Sequence, residues 1–231
     1  AMCGRYSFAQ LSSEVEKRFK IHVDGNTYVA RYNNAPGQKL GVITNQSPNK
    51  LSLHHWGLLP SWAKDPRMAF KMINARGETL QEKPAFKEAF SSKRCLVPAD
   101  GFYEWKKHGK QNIPHYVCLK SKEMFAFAGL WEEWKDAEGK IKNTFTIVTT
   151  TSNKLMKPLH PRMPVILTPH LEKEWLENSN IADLQKIIQP YDTLKMEVFE
   201  VSTQINKVEN NDPSLILPFQ NDKQISLFED D

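Results

Sequence analysis

The chain begins AMCGRYSF, and the residue there with the widest chemistry is Cys3. Ala1 reads as the remnant of a cleaved tag and Met2 as the natural start, and the small residue behind Met2 would let processing expose Cys3. A cysteine at an N-terminus offers a free amine and a thiol on adjacent carbons. The amine has a reference pKa of about 7.7–8.0 against about 10.4 for lysine, so near neutral pH roughly a hundredfold more of it is neutral and nucleophilic. Glu104 lies in GFYEW among Phe102, Tyr103 and Trp105, surroundings that raise a carboxyl pKa and suit proton transfer near neutrality. His160, in LHPRMP, has an imidazole that titrates in the same range. Asn74 and Arg76 stand two apart in NARGET, on one face of an extended segment. The amide donates and accepts hydrogen bonds, and the guanidinium fork suits a phosphate. Each group also has a plainer reading: a small apolar residue starting a strand, a solvent-facing glutamate, a satisfied structural histidine, a buried asparagine and a surface arginine.

These groups need a frame. At 231 residues the chain suits one sizeable domain with a real core. A short strand at CGRYSF precedes AQLSSEVEKRFK, where Leu11, Val15 and Phe19 predict one apolar helix face. KLGVITN and KLSLHHWGLL flank QSPN as a hairpin, and GETLQEKPAFKEAFSS predicts a second helix with Pro84 limiting its early turns. PHYVCLK, MFAFAGLWEEW and NTFTIVTT predict antiparallel strands punctuated by KKHGKQN and KDAEGK. Helices at PHLEKEWLEN and IADLQKII and a strand at KMEVFEVST complete an α+β pattern. From about Asn210 the composition turns polar, which gives a domain over residues 1–218 and a loosely attached tail over 219–231. No apolar run approaches the roughly 20 residues of a membrane helix, so a cytoplasmic protein is expected. Cys3, Cys95 and Cys118 form no C-x-x-C pair, which argues against disulfides and a thiolate zinc site; Cys95 and Cys118 read as buried fillers, and no metal or cofactor is expected. A formal charge of +4 is compatible with a polyanionic ligand and decides nothing alone.

Four further stretches, RYNNAPG, NARGET, PADGFYEW and HPRMPVIL, together with MCGRY and WGLLPSW, run in order from Cys3 to about Leu167. In this the chain resembles the SOS response-associated peptidase family, whose members cross-link covalently to abasic sites in single-stranded DNA. The resemblance implies mainly antiparallel sheet in a barrel-like arrangement flanked by helices. It also implies that mature Cys3 captures the aldehyde of an abasic sugar, its amine forming an imine and its thiol closing a thiazolidine. Glu104 would then relay protons around the Cys3 amine, His160 would protonate the sugar ring oxygen, and Asn74 would orient the amine or a sugar hydroxyl. Arg76 and Arg162 would contact phosphates, Trp62 would stack on bases with Met68 as a wedge, and Asn33, Asn34 and Pro36 would line the pocket. Two rivals stand beside this reading: a cysteine peptidase with Cys3 as nucleophile, which could be self-processing, and a single-strand-binding module without covalent chemistry. In the tail, QISLF resembles the short peptide by which bacterial repair proteins hold the sliding clamp, with Gln224, Leu227 and Phe228 as anchors. A monomer is expected, nucleoid-associated if the source is bacterial.

Overall fold

Positions 144–150 are buried without a break, a pattern that only a strand covered on both faces can carry. The computed structural model, which describes residues 3–220, shows how that cover arises. The first half of the chain forms β1 (Tyr6–Phe8), α1 (Ser12–Phe19), β2 (Arg31–Asn34), β3 (Lys39–Thr44), β4 (Ser52–Trp56) and β5 (Asn74–Arg76). There follow α2 (Lys87–Ser92), β6 (Arg94–Ala99), β7 (Gly101–His108), β8 (Gln111–Leu119), β9 (Phe125–Lys135) and β10 (Ile141–Thr151). The remainder forms β11 (Arg162–Pro164), β12 (Ile166–Leu167), α3 (Pro169–Glu177), α4 (Ile181–Ile187) and β13 (Met196–Glu200).

Strands β10, β4, β3, β6 and β9 pair in that order, and β9 pairs back onto β10, so the five close into a barrel. β3 and β4 form the expected hairpin, with Lys39 opposite His55 and Val42 opposite Ser52. The closing contact of β4 with β10 is parallel, Thr144 beside His55 and Phe145 beside Trp56. Gly129 of β9 marks a close approach inside the barrel, because a Cβ there would meet Cys95 Sγ at 2.8 Å and the Thr146 carbonyl at 3.0 Å. A second sheet, β13-β8-β7-β1-β2, packs on the barrel through Tyr6, whose ring lies 5.2 Å from Trp56 and 5.8 Å from Phe127 between centroids. The α+β class and the barrel expected from the resemblance are therefore both present.

Two helical expectations are corrected. The predicted helix over GETLQEKPAFKEAFSS survives only as α2; Gly77–Thr79 is a 3-10 turn and the stretch through Pro84 is a set of turns, since proline lacks the amide donor and crowds the preceding turn. The first helix begins at Ser12, and Leu11 caps it in an extended conformation with its side chain exposed, leaving Val15 as its buried residue. Lys20, at φ 55°, ends it in the left-handed region. Cys95 and Cys118 are buried, as expected. Among the described residues no helix is long and apolar enough to cross a membrane.

Candidate active site

Cys3 is 1 % exposed and belongs to the main apolar core. The register of β1 against β7 fixes its neighbours: Tyr6 lies opposite Phe102 and the Tyr103 N–H donates to the Arg5 carbonyl at 3.0 Å, which runs the Cys3–Arg5 segment alongside Glu104. Burial pushes the Cys3 thiol well above its usual pKa, and the charge of Glu104 adds to the shift. Glu104 is itself 3 % exposed. Among the described residues its Oε2 has no hydrogen-bond partner, and burial raises its carboxyl from 4.5 to about 8. At neutral pH this group is mainly a carboxylic acid, with a proton to give and an oxygen facing no protein donor.

β5 supplies the next members. It runs parallel to β10, Asn74 beside Ile147 and Arg76 beside Thr149, and buries Ala75 between them. Asn74 and Arg76 thus share a face, as their spacing predicted. Asn74 Nδ2 donates to the Cys3 carbonyl at 3.3 Å, holding the Cys3 backbone. Arg76 is exposed.

β10 also carries the histidine side of the site. Thr151 pairs with Arg162 at the start of β11, and the turn before it holds His160. The Arg162 backbone N–H donates to His160 Nδ1 at 3.0 Å, so the neutral ring carries its proton on Nε2. Burial lowers the imidazole pKa and favours that neutral form.

Several expected residues have other occupations. Arg162 is buried, and its guanidinium makes a bidentate pair with Glu78 at 2.8 and 2.7 Å and a bond to Thr149 Oγ1 at 3.1 Å. In this arrangement Glu78 and Thr149 occupy its guanidinium. Asn33 is also buried: its amide donates to the carbonyls of Ile205, Lys207 and Asn210, and its oxygen accepts from Arg5. It clasps the segment after β13 rather than lining a pocket. Asn34 is buried and bonds the Arg31 carbonyl, and Pro36 sits half-buried in the turn that follows. Met68 is half-buried and packs against a small cluster of Leu59, Ala63 and Trp134.

Trp62, by contrast, is 55 % exposed. Phe70, which the sequence reading passed over, is 73 % exposed in the same connection between β4 and β5. The signal for it was an aromatic residue placed among Pro66, Arg67 and Lys71, a context no core residue needs. Gln224, Leu227 and Phe228 lie outside the described residues. Among the described residues no group of three or more His, Cys, Asp or Glu side chains is gathered to hold a metal ion.

Comparison with known proteins gives a consistent result. A family profile described as SOS response associated peptidase (SRAP) matches residues 2–208. The chain is 47 % identical over 221 residues to a Bacillus subtilis (strain 168) protein named abasic site processing protein YoqW, covering 93 % of this chain and 99 % of that one. It is 30 % identical over 224 residues to the Xenopus tropicalis protein named abasic site processing protein HMCES, covering 82 % of this chain and 66 % of that one. Among solved structures, a Bacteroides thetaiotaomicron protein superposes with a TM-score of 0.87 at 30 % identity, covering 94 % of this chain and all of that chain.

Proposed function

We propose, from the premise that this chain belongs to the SOS response associated peptidase family, that it processes abasic sites in DNA by capturing them covalently on Cys3. One observation carries the covalent reading: Glu104 is buried beside Cys3, where its second carboxyl oxygen has no partner among the described residues and burial raises its pKa to about 8. A dehydration needs such a group. The neutral amine of an N-terminal Cys3 adds to the aldehyde of the ring-opened sugar: a nitrogen–carbon bond forms as the carbonyl π bond breaks, and an amine proton passes to the oxygen. Glu104 then gives its proton to the resulting hydroxyl, which departs as water and leaves an iminium. The Glu104 carboxylate next accepts the Cys3 thiol proton as sulfur bonds to the same carbon. The ring closes, the acid is restored, and one water is lost overall.

The other groups divide the remaining work. Asn74 holds the Cys3 carbonyl, so the amine and thiol share one orientation. His160, with Nδ1 taken by the Arg162 amide, donates from Nε2 to the sugar ring oxygen and stabilises it as the carbon–oxygen bond opens. Arg76 is offered to a phosphate, and Trp62 and Phe70 to unstacked bases of single-stranded DNA. The peptidase rival finds less support, because a thiolate nucleophile needs a lowered pKa and burial pushes that of Cys3 up. We extend the proposal to a monomeric, cytoplasmic protein of one domain with a tail whose Gln224, Leu227 and Phe228 dock a sliding clamp. Deleting residues 221–231 should abolish clamp binding, and binding that survives rejects the docking peptide.

The capture itself is tested by incubating the chain beginning at Cys3, and the chain retaining residues 1–2, with single-stranded DNA bearing one abasic site. A denaturation-resistant mass shift is expected only with the free Cys3 amine, and its loss is expected in Cys3→Ser. A shift of equal size with the blocked amine would reject the N-terminal chemistry.

A further inference from the structure

The two halves of the site are joined by an ion pair that the capture chemistry does not use. Glu78 follows directly on β5, two residues beyond Arg76, while Arg162 opens β11 two residues beyond His160. Both halves lean on the same residue of β10: Thr149 pairs with Arg76 on one side and with Pro164 on the other, and its hydroxyl accepts from Arg162. The Arg162 guanidinium is buried and its Nε has no partner among the described residues, so Thr149 and the Glu78 carboxylate are what hold it there. The Glu78 side chain is 44 % exposed.

The same arginine sets the imidazole. Its backbone N–H is the donor to His160 Nδ1, while the Ser152 hydroxyl donates to the His160 carbonyl at 2.5 Å. A residue anchored by its side chain thereby presents its amide at a fixed place, and that amide decides which ring nitrogen carries the proton. We infer that Glu78 is a positioning residue for His160, acting through Arg162, so that the histidine's turn and the asparagine's strand are held in one frame. The inference rests on the role of His160 proposed above.

A double-mutant cycle separates the two ideas. His160→Ala, Glu78→Gln and the double variant, each beginning at Cys3, are compared in single-turnover capture of closed-ring abasic DNA at saturation, and in reaction with propanal, which has no ring to open. Glu78→Gln should slow capture of the sugar about 10- to 100-fold, the size of effect that a small misplacement produces. It should leave the propanal rate near that of the parent and add nothing once His160 is gone. If His160→Ala does not slow capture, the role proposed for His160 fails and this inference falls with it. If His160→Ala slows capture but Glu78→Gln does not, or their effects multiply, the positioning role alone is overturned. Equal slowing of both substrates by Glu78→Gln would mean a merely structural role and also overturns it. Should Glu78→Gln fail to fold because Arg162 is left buried and unpaired, Glu78→Gln/Arg162→Met removes both charges and carries the same comparison.

Discussion

Glu104 acquires its proton from its surroundings, and the same surroundings tie its chemistry to the stability of the fold. The unfolded chain releases that proton near 4.5, while the folded chain keeps it until about 8. Below the lower value both states are protonated and the burial costs nothing in charge. As pH rises between the two the unfolded state binds fewer protons, so stability falls with pH and levels off above the folded value. At about 1.4 kcal/mol per unit the full effect is on the order of 5 kcal/mol. Glu104→Gln should therefore match the parent in urea unfolding at pH 4 and exceed it clearly at pH 9; an unchanged difference at both pH values would mean that Glu104 is not held protonated. This residue was legible in the sequence because its aromatic neighbours are adjacent to it. Arg162 and Asn33 were not, because the partners that occupy them are 84 and up to 177 residues distant, a separation that no local motif records.

The short strand β5 shows how an element can position chemistry without contributing much of it. It is three residues long, yet it places Asn74 against Cys3, exposes Arg76 and delivers Glu78 to Arg162. Gly77 makes the turn between these last two possible. A Cβ there would lie 2.3 Å from Ile188 Cγ2 and 3.0 Å from the Thr149 carbonyl, so Gly77→Ala must push apart β10 and the end of α4. Overpacking of this kind costs about 1–3 kcal/mol, which urea unfolding would register as a lowered midpoint, and capture should slow with it. No change in either would show that the turn is soft. The strands themselves were readable from apolar runs and from the turns at Gly109 and Gly139. The parallel contacts of β10 with β4 and β5 were not readable, since a buried strand has the same composition whichever direction its neighbour runs.

At the scale of the whole molecule, the barrel turns a list of motifs into one site. Asn74, Arg162 and, through it, His160 all hang on β10, whereas Cys3 and Glu104 reach the site from the second sheet. The barrel-like architecture was foreseen from the resemblance, but closure of the ring depends on pairings between distant segments that the sequence does not display. Such closure has a consequence in time. Cys3 and Arg162 are 159 residues apart along the chain, so during synthesis the Cys3 segment precedes β11 by most of the domain. Long-range pairing is slow to form, and the parallel contacts of β10 belong to the slowest class. A nascent chain that has not yet delivered β10 and β11 holds Cys3 and Glu104 with no closed barrel behind them and with neither His160 nor Arg162 in place. Translation order therefore completes the Asn74, His160 and Arg162 side of this cluster last, when β10 pairs with β5 and β11.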